Sequence, residues 1–253
     1  MKTSDAEWFR RYYGDDYAAS VRDLLRPERT RREVDFIVRT TGLQAGAAVA
    51  DLGCGEGRHA LEFARRGCAV TAVDLNPAFL DRGRRAAARE GHRVRWVCED
   101  MRTPQPGPYD LLLLLFHSFG FFSDDENLRL LQGWRRELAA QGQLVIDVWN
   151  RARILKDFAE RSQRAASPKL TVLEERAWDP STQRLRVLYT YRWNDGHERR
   201  YDARFRLYGR EEMHGLLEAA GYRLRGEFGS LEGAGWTPDA PRLVLWAEAS
   251  GPE

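Results

Sequence analysis

The residues best suited to chemistry lie in a glycine-rich segment near the start of the chain. Residues 49–58 read Val-Ala-Asp-Leu-Gly-Cys-Gly-Glu-Gly-Arg, so an apolar strand leads through a turn into a helix. Glycines let the backbone approach a ligand closely and adopt positive φ angles. The helix that follows presents free N–H groups and partial positive charge. Gly53, Cys54 and Gly55 could therefore bind either a pyrophosphate or a carboxylate.

Two acidic residues follow the next two predicted strands. Asp74 ends the segment Thr-Ala-Val-Asp, 21 residues after Gly53. In a βαβ unit, a carboxylate at this spacing can accept hydrogen bonds from both ribose hydroxyls of an adenosine cofactor. Asp100, in Cys-Glu-Asp-Met, can accept from an adenine amino group while Met101 lies against the ring. The spacing therefore predicts an adenosine-containing cofactor.

Asp51 discriminates between two such cofactors. Its charge would repel a pyrophosphate, but it suits S-adenosylmethionine, which carries an α-amino group and a sulfonium. A dinucleotide fingerprint that starts at Gly53 requires Gly or Ala at position 58, where the chain has Arg58. One that starts at Gly55 matches formally but begins too far beyond the strand. Asp51 could instead cap the following helix.

Four blocks of the sequence resemble the class I S-adenosylmethionine-dependent methyltransferases. They read VADLGCGEGRHALEFARRG, VTAVDLNPAFL, CEDMRTP and YDLLLLLFHSFGFF, in the family's order, over roughly residues 45–150. The resemblance implies a role for each matching residue. The methionine portion of the cofactor would lie against Gly53, Cys54 and Gly55, the ribose and adenine against Asp74, Leu75, Asp100 and Met101, and the transferable methyl beside Phe116.

Within this class, the FHSFGFF block and the strands that follow it look like the small-molecule branch, such as glycine and nucleotide-sugar N-methyltransferases. The sugar enzymes carry a His shortly after the Gly of this block, where this chain has Phe121, so their substrate is not transferred to it. In related enzymes, tyrosines of a comparable leader approach the cofactor. Tyr13 and Tyr17 are accordingly expected to form a lid, unless they only pack their helix.

His117 is the titratable residue best placed for catalysis. It follows the fourth strand, at the edge of the sheet where α/β proteins bind ligands. It could be a general base that removes a proton from an amine or hydroxyl, or a hydrogen-bonded wall residue.

Arg32 could reach the cofactor's carboxylate or stay solvated. The aromatic content suggests an apolar or planar acceptor, and the residues assigned to it are Tyr13, Phe121, Trp149 and Trp236.

The order of elements predicts an α/β fold. Near-continuous apolar strands that alternate with helices, one of them over Glu56–Arg66, are typical of a parallel sheet covered on both faces. Residues 170–208 alternate with period two around Asp195-Gly196, a hairpin signal, which predicts about three antiparallel strands. The family resemblance adds a Rossmann-like sheet of seven strands, mostly parallel with the last strand antiparallel. The predicted parts are a helical lid (1–40), a cofactor-binding core (41–150), a β insertion (151–208) and a C-terminal completion of the sheet (209–253).

Composition narrows the function further. The 253 residues carry a formal net charge of +2, which argues against a dedicated nucleic-acid binder. The three cysteines form no CxxC pair, so we expect no metal site and a reducing compartment. No apolar run reaches the length of a membrane span, and the N-terminal residues lack a secretion signal, so we expect a cytoplasmic protein. The aromatic face of the insertion must cover the site or another subunit, which leaves a homodimer open.

The sequence therefore predicts methyl transfer from S-adenosylmethionine to a nitrogen or oxygen atom of a small molecule. Three alternatives stay open at this point: an NAD-dependent dehydrogenase on the same sheet, an RNA methyltransferase, and a non-catalytic cofactor-binding homologue. Fold and cofactor pocket do not by themselves prove turnover.

Overall fold

The computed structural model describes residues 7–250. The first six residues of the predicted N-terminal lid and the last three of the predicted C-terminal part lie outside this range. The α-helices are α1 (Phe9–Tyr12), α2 (Asp15–Val21), α3 (Pro27–Thr41), α4 (Arg58–Arg65), α5 (Pro77–Glu90), α6 (Asp124–Arg135), α7 (Arg151–Lys156) and α8 (Arg210–Ala219). A single 3-10 turn, Arg22–Leu24, joins α2 to α3.

The strands form two sheets. Seven strands form the larger sheet: β1 (Ala48–Leu52), β2 (Ala69–Asp74), β3 (Val94–Cys98), β4 (Tyr109–Leu114), β5 (Leu138–Trp149), β10 (Tyr222–Phe228) and β11 (Arg242–Ala249). Their order is β10-β11-β5-β4-β1-β2-β3, and β11 is the one strand that runs opposite to the other six. The smaller sheet is antiparallel and consists of β6 (Arg161–Ser167), β7 (Leu170–Asp179), β8 (Arg184–Trp193) and β9 (Glu198–Arg206).

The apolar character of β4 follows from its central place in the larger sheet. Leu111 and Leu113 pack into one apolar cluster, whereas Leu112 and Leu114 pack into another on the opposite face. All four leucines are fully buried, as expected for a parallel strand that is covered on both sides. The predicted fold class is confirmed: a mostly parallel Rossmann-like sheet of seven strands with a separate antiparallel sheet.

The inserted sheet has four strands, not about three. The strand that sequence reasoning missed is β6, whose polar and small residues lack the β-branched and aromatic side chains that mark a strand. The predicted alternation in β8 is confirmed, since Tyr189 and Tyr191 are buried whereas Arg186 and Arg192 are exposed. Tyr12 of α1 stacks on Tyr189 at 4.8 Å between ring centroids, so this aromatic face covers the N-terminal helices.

The start of α4 differs from the prediction in a way that matters for the site. The helix begins at Arg58 and not at Glu56, because Gly57 has a φ of 76° and so cannot belong to a right-handed helix. A side chain on Gly57 would also collide with the ring of Trp96. Arg58 is thereby the first helical residue after the glycine turn.

Within residues 7–250, none of the helices combines the length and the apolar character that a bilayer span requires. The predicted location of the protein, its possible dimerisation and the boundaries of its four parts stay predictions.

Candidate functional site

The candidate site is a cavity of about 480 Å³ at the carboxyl edge of the larger sheet. Its floor is built from the segments that follow β1, β2, β3 and β4, which are neighbours in the sheet. Helices α1 and α2 cover it from above. This edge, where the strand order reverses between β1 and β4, is the usual ligand site of open α/β sheets.

The glycine turn is tied to the end of β2 by Asp74. One oxygen of the Asp74 carboxylate accepts from the backbone N–H of Gly55 at 2.8 Å, and the other accepts from that of Asn76 at 2.8 Å. Burial raises the pKa of Asp74 despite these bonds. Each oxygen keeps a further lone pair, so the carboxylate can shape the turn and still accept from a ligand.

The three glycines of the turn all have positive φ angles, but the space around them differs. A Cβ on Gly53 would lie 2.8 Å from Oγ of Ser118 and 3.2 Å from the side chain of Met101. A Cβ on Gly55 would meet no atom within 4 Å, because that side of the turn faces the open cavity. The backbone at Gly55 is therefore open to close approach by a ligand.

Asp51 lies at the end of β1 and is 2% exposed. Its Oδ2 is one of a few buried side-chain atoms in residues 7–250 with no hydrogen-bond partner. The pKa of Asp51 is raised to about 7: burial is the largest cause and the charge of Asp74 adds to it, whereas the charge of Arg58 and a hydrogen bond from the backbone of Ala60 oppose it. A buried carboxylate oxygen without a partner costs free energy, which a cationic ligand group would offset.

Arg58 presents the opposite charge to the same cavity. Its Nη1 contacts Oε2 of Glu33 and donates to Oγ1 of Thr30 at 3.0 Å, whereas its buried Nη2 has no partner among the described residues. Glu33, on α3, is 1% exposed and also accepts from Arg29 at 2.8 Å. Although burial opposes ionisation, the bonds from His59 and Arg58 hold the pKa of Glu33 well below its usual value.

His59 completes this cluster but is not a free base. Its Nε2 lies 3.0 Å from Oε2 of Glu33. Burial and the charge of Arg58 lower the pKa of His59 to about 4, so the ring is neutral at physiological pH. Glu33 therefore has Arg58 as its main counter-charge and fixes the direction of that guanidinium.

The residues predicted to contact adenine lie in the opposite wall. Leu75, Asp100 and Met101 line the cavity. Both oxygens of Asp100 accept from the side chain of Arg102, at 3.1 and 2.7 Å. Burial opposes ionisation of Asp100, yet these bonds hold the pKa of its carboxyl below the usual value. Asp100 is thus ionised but shared with Arg102, and its contact with adenine stays a prediction.

The remaining thiol and hydroxyl groups of the cavity are neutral. Burial raises the pKa of the Cys54 thiol well above its usual value, and burial likewise raises the pKa of Tyr13 and Tyr17. Tyr13 and Tyr17 pack edge to face at 4.8 Å and line the cavity together with Phe121. The backbone oxygen of Tyr13 accepts from Nδ2 of Asn76 at 3.0 Å, which fastens the N-terminal segment over the site.

His117 does not have the geometry of a general base. Only its neighbours Phe116 and Ser118 line the cavity. Nε2 of His117 contacts a guanidinium N–H of Arg242, and because arginine can only donate, this lone pair is already used. Burial, and next the charge of Arg242, lower the pKa of His117 well below its usual value. The geometry therefore argues against a general base: His117 lies behind the cavity wall, where its ring nitrogen is bonded to Arg242.

Three further predicted site residues lie away from the cavity. Arg32 is exposed and pairs with Glu232 at 3.2 Å. Trp149 packs on the ring of His117 at 4.1 Å between centroids. Trp236 lies under the guanidinium of Arg210 at 5.2 Å. The structure therefore corrects their placement: Arg32 lies on the exposed surface, paired with Glu232, and both tryptophans pack against neighbouring side chains.

A family profile described as "Methyltransferase domain" matches residues 49–142. This range holds the glycine turn, Asp74, Asp100 and Phe116. Residues 49–142 form a methyltransferase domain. The class I resemblance inferred from the sequence is thereby confirmed for this part of the chain.

Three known proteins illustrate what the methyltransferase domain is similar to. Magnesium-protoporphyrin O-methyltransferase from Rhodobacter capsulatus is 30% identical over 115 residues, which are 45% of this chain and 51% of that protein. The CcbJ methyltransferase from Streptomyces caelestis superimposes with a TM-score of 0.78 at 22% identity, covering 88% of this chain and 96% of its own. A SAM-bound amino pentose methyltransferase from Micromonospora echinaspora gives 0.62 at 21%, covering 99% and 98%.

The sequence match and the structural matches cover different shares of the chain. The chain spans about half the length of the protoporphyrin relative, and the two solved structures share the fold at low identity.

Sequence reasoning missed several residues around the methyltransferase domain's cavity. Arg58 could have been found from the sequence, because it stands directly after the third glycine of the turn, where the following helix begins. Glu33 and Asp147 gave no such signal, because each is a single carboxylate inside a regular helix or strand pattern. Arg242 likewise stands at the start of a strand, far from the other site residues in sequence.

Proposed function

We propose that this chain transfers the methyl group of S-adenosylmethionine to a nitrogen or oxygen atom of a small molecule, by in-line displacement. One observation carries the proposal. Asp51 and Arg58 line the same cavity, and each has a buried polar atom, Oδ2 of Asp51 and Nη2 of Arg58, with no hydrogen-bond partner among the described residues. The amino-acid end of S-adenosylmethionine carries both complementary charges, an ammonium and a carboxylate.

The other cavity residues fit the rest of the cofactor. Asp74 would accept from the ribose hydroxyls with the lone pairs that Gly55 and Asn76 leave free. Leu75 and Met101 would lie against the adenine. Gly53, Cys54 and the open face of Gly55 would receive the methionine chain, and Tyr17 would cover it. A pyrophosphate, by contrast, would lie beside the carboxylate of Asp51, which disfavours the dinucleotide alternative.

When bound, S-adenosylmethionine supplies a methyl group on a positively charged sulfur, and that sulfur is the leaving group. The protein's own contribution is alignment and exclusion of water. Asp51 and Arg58 fix one end of the cofactor and Asp74 the other. The helices α1 and α2 cover the cavity, and Phe116 lies in its wall beside Arg58. Holding two reactants in near-attack geometry is worth about 7–11 kcal/mol.

The proposed class of methyl acceptor is inferred from the side chains that line the cavity and from the names of the relatives. Phe9, Tyr13, Phe116, Phe121 and Phe122 give the cavity an aromatic lining, which suits an apolar or planar molecule. Relatives are named for methylation of magnesium-protoporphyrin and of an amino pentose. The net charge of +2 lacks the basic excess expected for an RNA substrate. We therefore propose a small-molecule acceptor.

Isothermal titration tests the cofactor. We expect S-adenosylmethionine to bind in the micromolar range or tighter, and NADH to bind far more weakly. Asp74→Asn should weaken binding, since an amide can accept with only one of its two polar atoms. Tight NADH binding that S-adenosylmethionine does not displace would point to the dehydrogenase instead.

A metabolite screen tests turnover. The protein is incubated with S-adenosylmethionine and a bacterial metabolite extract, and mass spectrometry looks for products that have gained one methyl group. Asp51→Asn removes the charge that would bind the ammonium group, so this variant should lose the product. Methylation of RNA alone would contradict the small-molecule acceptor, and cofactor binding without any methylated product would indicate a non-catalytic homologue.

A further inference from the structure

The turn after β4 has an unusual backbone conformation. Phe116 and His117 have φ angles of 54° and 69°, which residues with a Cβ rarely adopt. Within residues 7–250, Gln183 is the one other non-glycine residue with a positive φ. Two such residues in succession persist only where the surrounding structure holds them in place.

Asp147, on β5, supplies acceptors for both amides of this turn. The N–H of Phe116 donates to Oδ2 of Asp147 at 3.0 Å, and the N–H of His117 donates to the backbone oxygen of the same residue at 3.2 Å. Asp147 is 1% exposed, so water does not compete strongly for these acceptors. One buried residue therefore fixes the backbone of both strained residues.

Arg242, at the start of β11, connects this carboxylate to the turn. Its Nε donates to Oδ1 of Asp147 at 2.6 Å, and its Nη2 donates to the backbone oxygen of Asp147 at 3.3 Å. Its Nη1 contacts Nε2 of His117, and the guanidinium carbon lies 5.8 Å from the ring centroid of Phe116. A single side chain thus contacts all three partners.

Of these four residues, only Phe116 lines the cavity. We propose that Asp147 and Arg242 are positioning residues, which act through Phe116 to set where the transferred methyl group lies. This inference rests on the proposed function. A simpler role as an ion pair between β5 and β11 is the competing explanation, but those strands already pair over seven residues.

The test uses two ligands that differ at the methyl group. S-adenosylmethionine and S-adenosylhomocysteine share every other contact, so the ratio of their dissociation constants reports on the surroundings of the methyl. We expect Arg242→Met to change this ratio by about threefold or more, the size of one exposed cation–π contact. The affinity for S-adenosylhomocysteine should stay within about twofold, because Asp51, Arg58 and Asp74 are untouched. Arg223→Met is the matched control, since it removes an exposed ion pair to β11, and it should leave the ratio unchanged.

A rescue separates positioning from general stabilisation. Arg242→Met leaves the carboxylate of Asp147 buried without its counter-charge, which could unfold the protein, so Arg242→Met with Asp147→Asn is the second variant. Adding His117→Gly to either background should return the ratio toward the wild-type value, because glycine adopts positive φ without a Cβ clash. An ion pair that only joins two strands would gain nothing from glycine at position 117.

Crystal structures with S-adenosylhomocysteine show the turn directly. We expect Phe116 and His117 to leave the left-handed region in Arg242→Met and to keep it in Arg223→Met. An unchanged ratio, or an unchanged turn in Arg242→Met, overturns the proposal. If the wild-type protein binds neither ligand, the proposed function has failed, whereas the turn in ligand-free crystals still tests the role of Arg242.

Discussion

Asp51 carries the clearest consequence of burial at the scale of one residue. Its pKa is raised to about 7, so near neutral pH the carboxylate is present in both forms. A cationic ligand group needs the ionised form. Binding should therefore be coupled to the loss of a proton whenever the pH lies below this value.

We predict that the affinity for S-adenosylmethionine falls as the pH is lowered from about 7.5 to about 6, approaching tenfold per unit at the acid end. Calorimetry in buffers of different ionisation enthalpy should detect protons released on binding. In Asp51→Asn the affinity should be lower and nearly independent of pH over this range. A wild-type profile as flat as that of the Asn variant would remove Asp51 from the amino-group site.

Arg58 can be tested with a truncated ligand. Methylthioadenosine keeps the adenosine and the sulfur but lacks the amino acid end. Loss of a hydrogen bond to a charged group costs about 1.5–3 kcal/mol, so Arg58→Met should weaken S-adenosylmethionine by one to two orders of magnitude and leave methylthioadenosine nearly unaffected. Arg32→Met serves as the control and should change neither affinity. Equal losses for both ligands would mean that Arg58 supports the fold and not the carboxylate.

At the scale of elements, the short helices α1 and α2 join the two sheets across the cavity. Asp16 of α2 accepts from the hydroxyl of Tyr201 at 2.6 Å and pairs with Arg199 at 3.3 Å. The backbone oxygen of Ser20 accepts from Arg164 at 2.9 Å. Since these partners lie on β6 and β9, the inserted sheet holds the cover of the site in place.

We predict that Asp16→Ala loosens this cover without changing the cofactor contacts. Amide hydrogen exchange in residues 8–21 should become faster, and S-adenosylmethionine should dissociate about tenfold faster, in keeping with the loss of charge-assisted hydrogen bonds. Stopped-flow binding measures the dissociation rate. Asp15→Ala is the neighbouring control, because Asp15 is largely exposed and its ion pair within residues 7–250 is with Arg82. Equal effects of the two variants would refute a specific role for Asp16.

At the scale of the whole molecule, the site lowers the stability of the empty protein. The pKa of Asp51 is higher in the folded protein, about 7, than its reference value of 3.8. Between these values the folded state holds more protons than the unfolded state, so the contribution of Asp51 to stability falls as the pH rises through this window. Above pH 7 the fold contains a buried carboxylate with one oxygen unpartnered.

We predict that Asp51→Asn raises the melting temperature of the ligand-free protein at about pH 8, by a few degrees for a domain of this size. The gain should shrink at about pH 5, where the wild-type carboxyl is protonated in the fold. Differential scanning calorimetry at both values measures it. Asp81→Asn, at an exposed pair with Arg84, should show no such pH dependence. A lower melting temperature for the Asn variant at pH 8 would contradict the cost assigned to Asp51.

The local sequence determined the larger sheet and much of the cavity floor. Strand, glycine turn and helix start follow one another within ten residues. Asp74 ends β2 and Asp100 follows β3, so their common edge follows from parallel topology alone. Strand β6 could not be found in this way, because its polar and small residues lack the β-branched and aromatic side chains that mark a strand, although it pairs with the adjacent strand β7.

The direction of each polar side chain was decided by the tertiary structure. Glu33, 25 residues earlier, binds Nη1 of Arg58, whereas Nη2 has no partner within residues 7–250. His117 loses its free lone pair to Arg242, 125 residues later. Arg32 turns away toward Glu232, 200 residues distant. Residue type and spacing set which groups can reach a site, but the partners that direct them come from elements that only folding brings together.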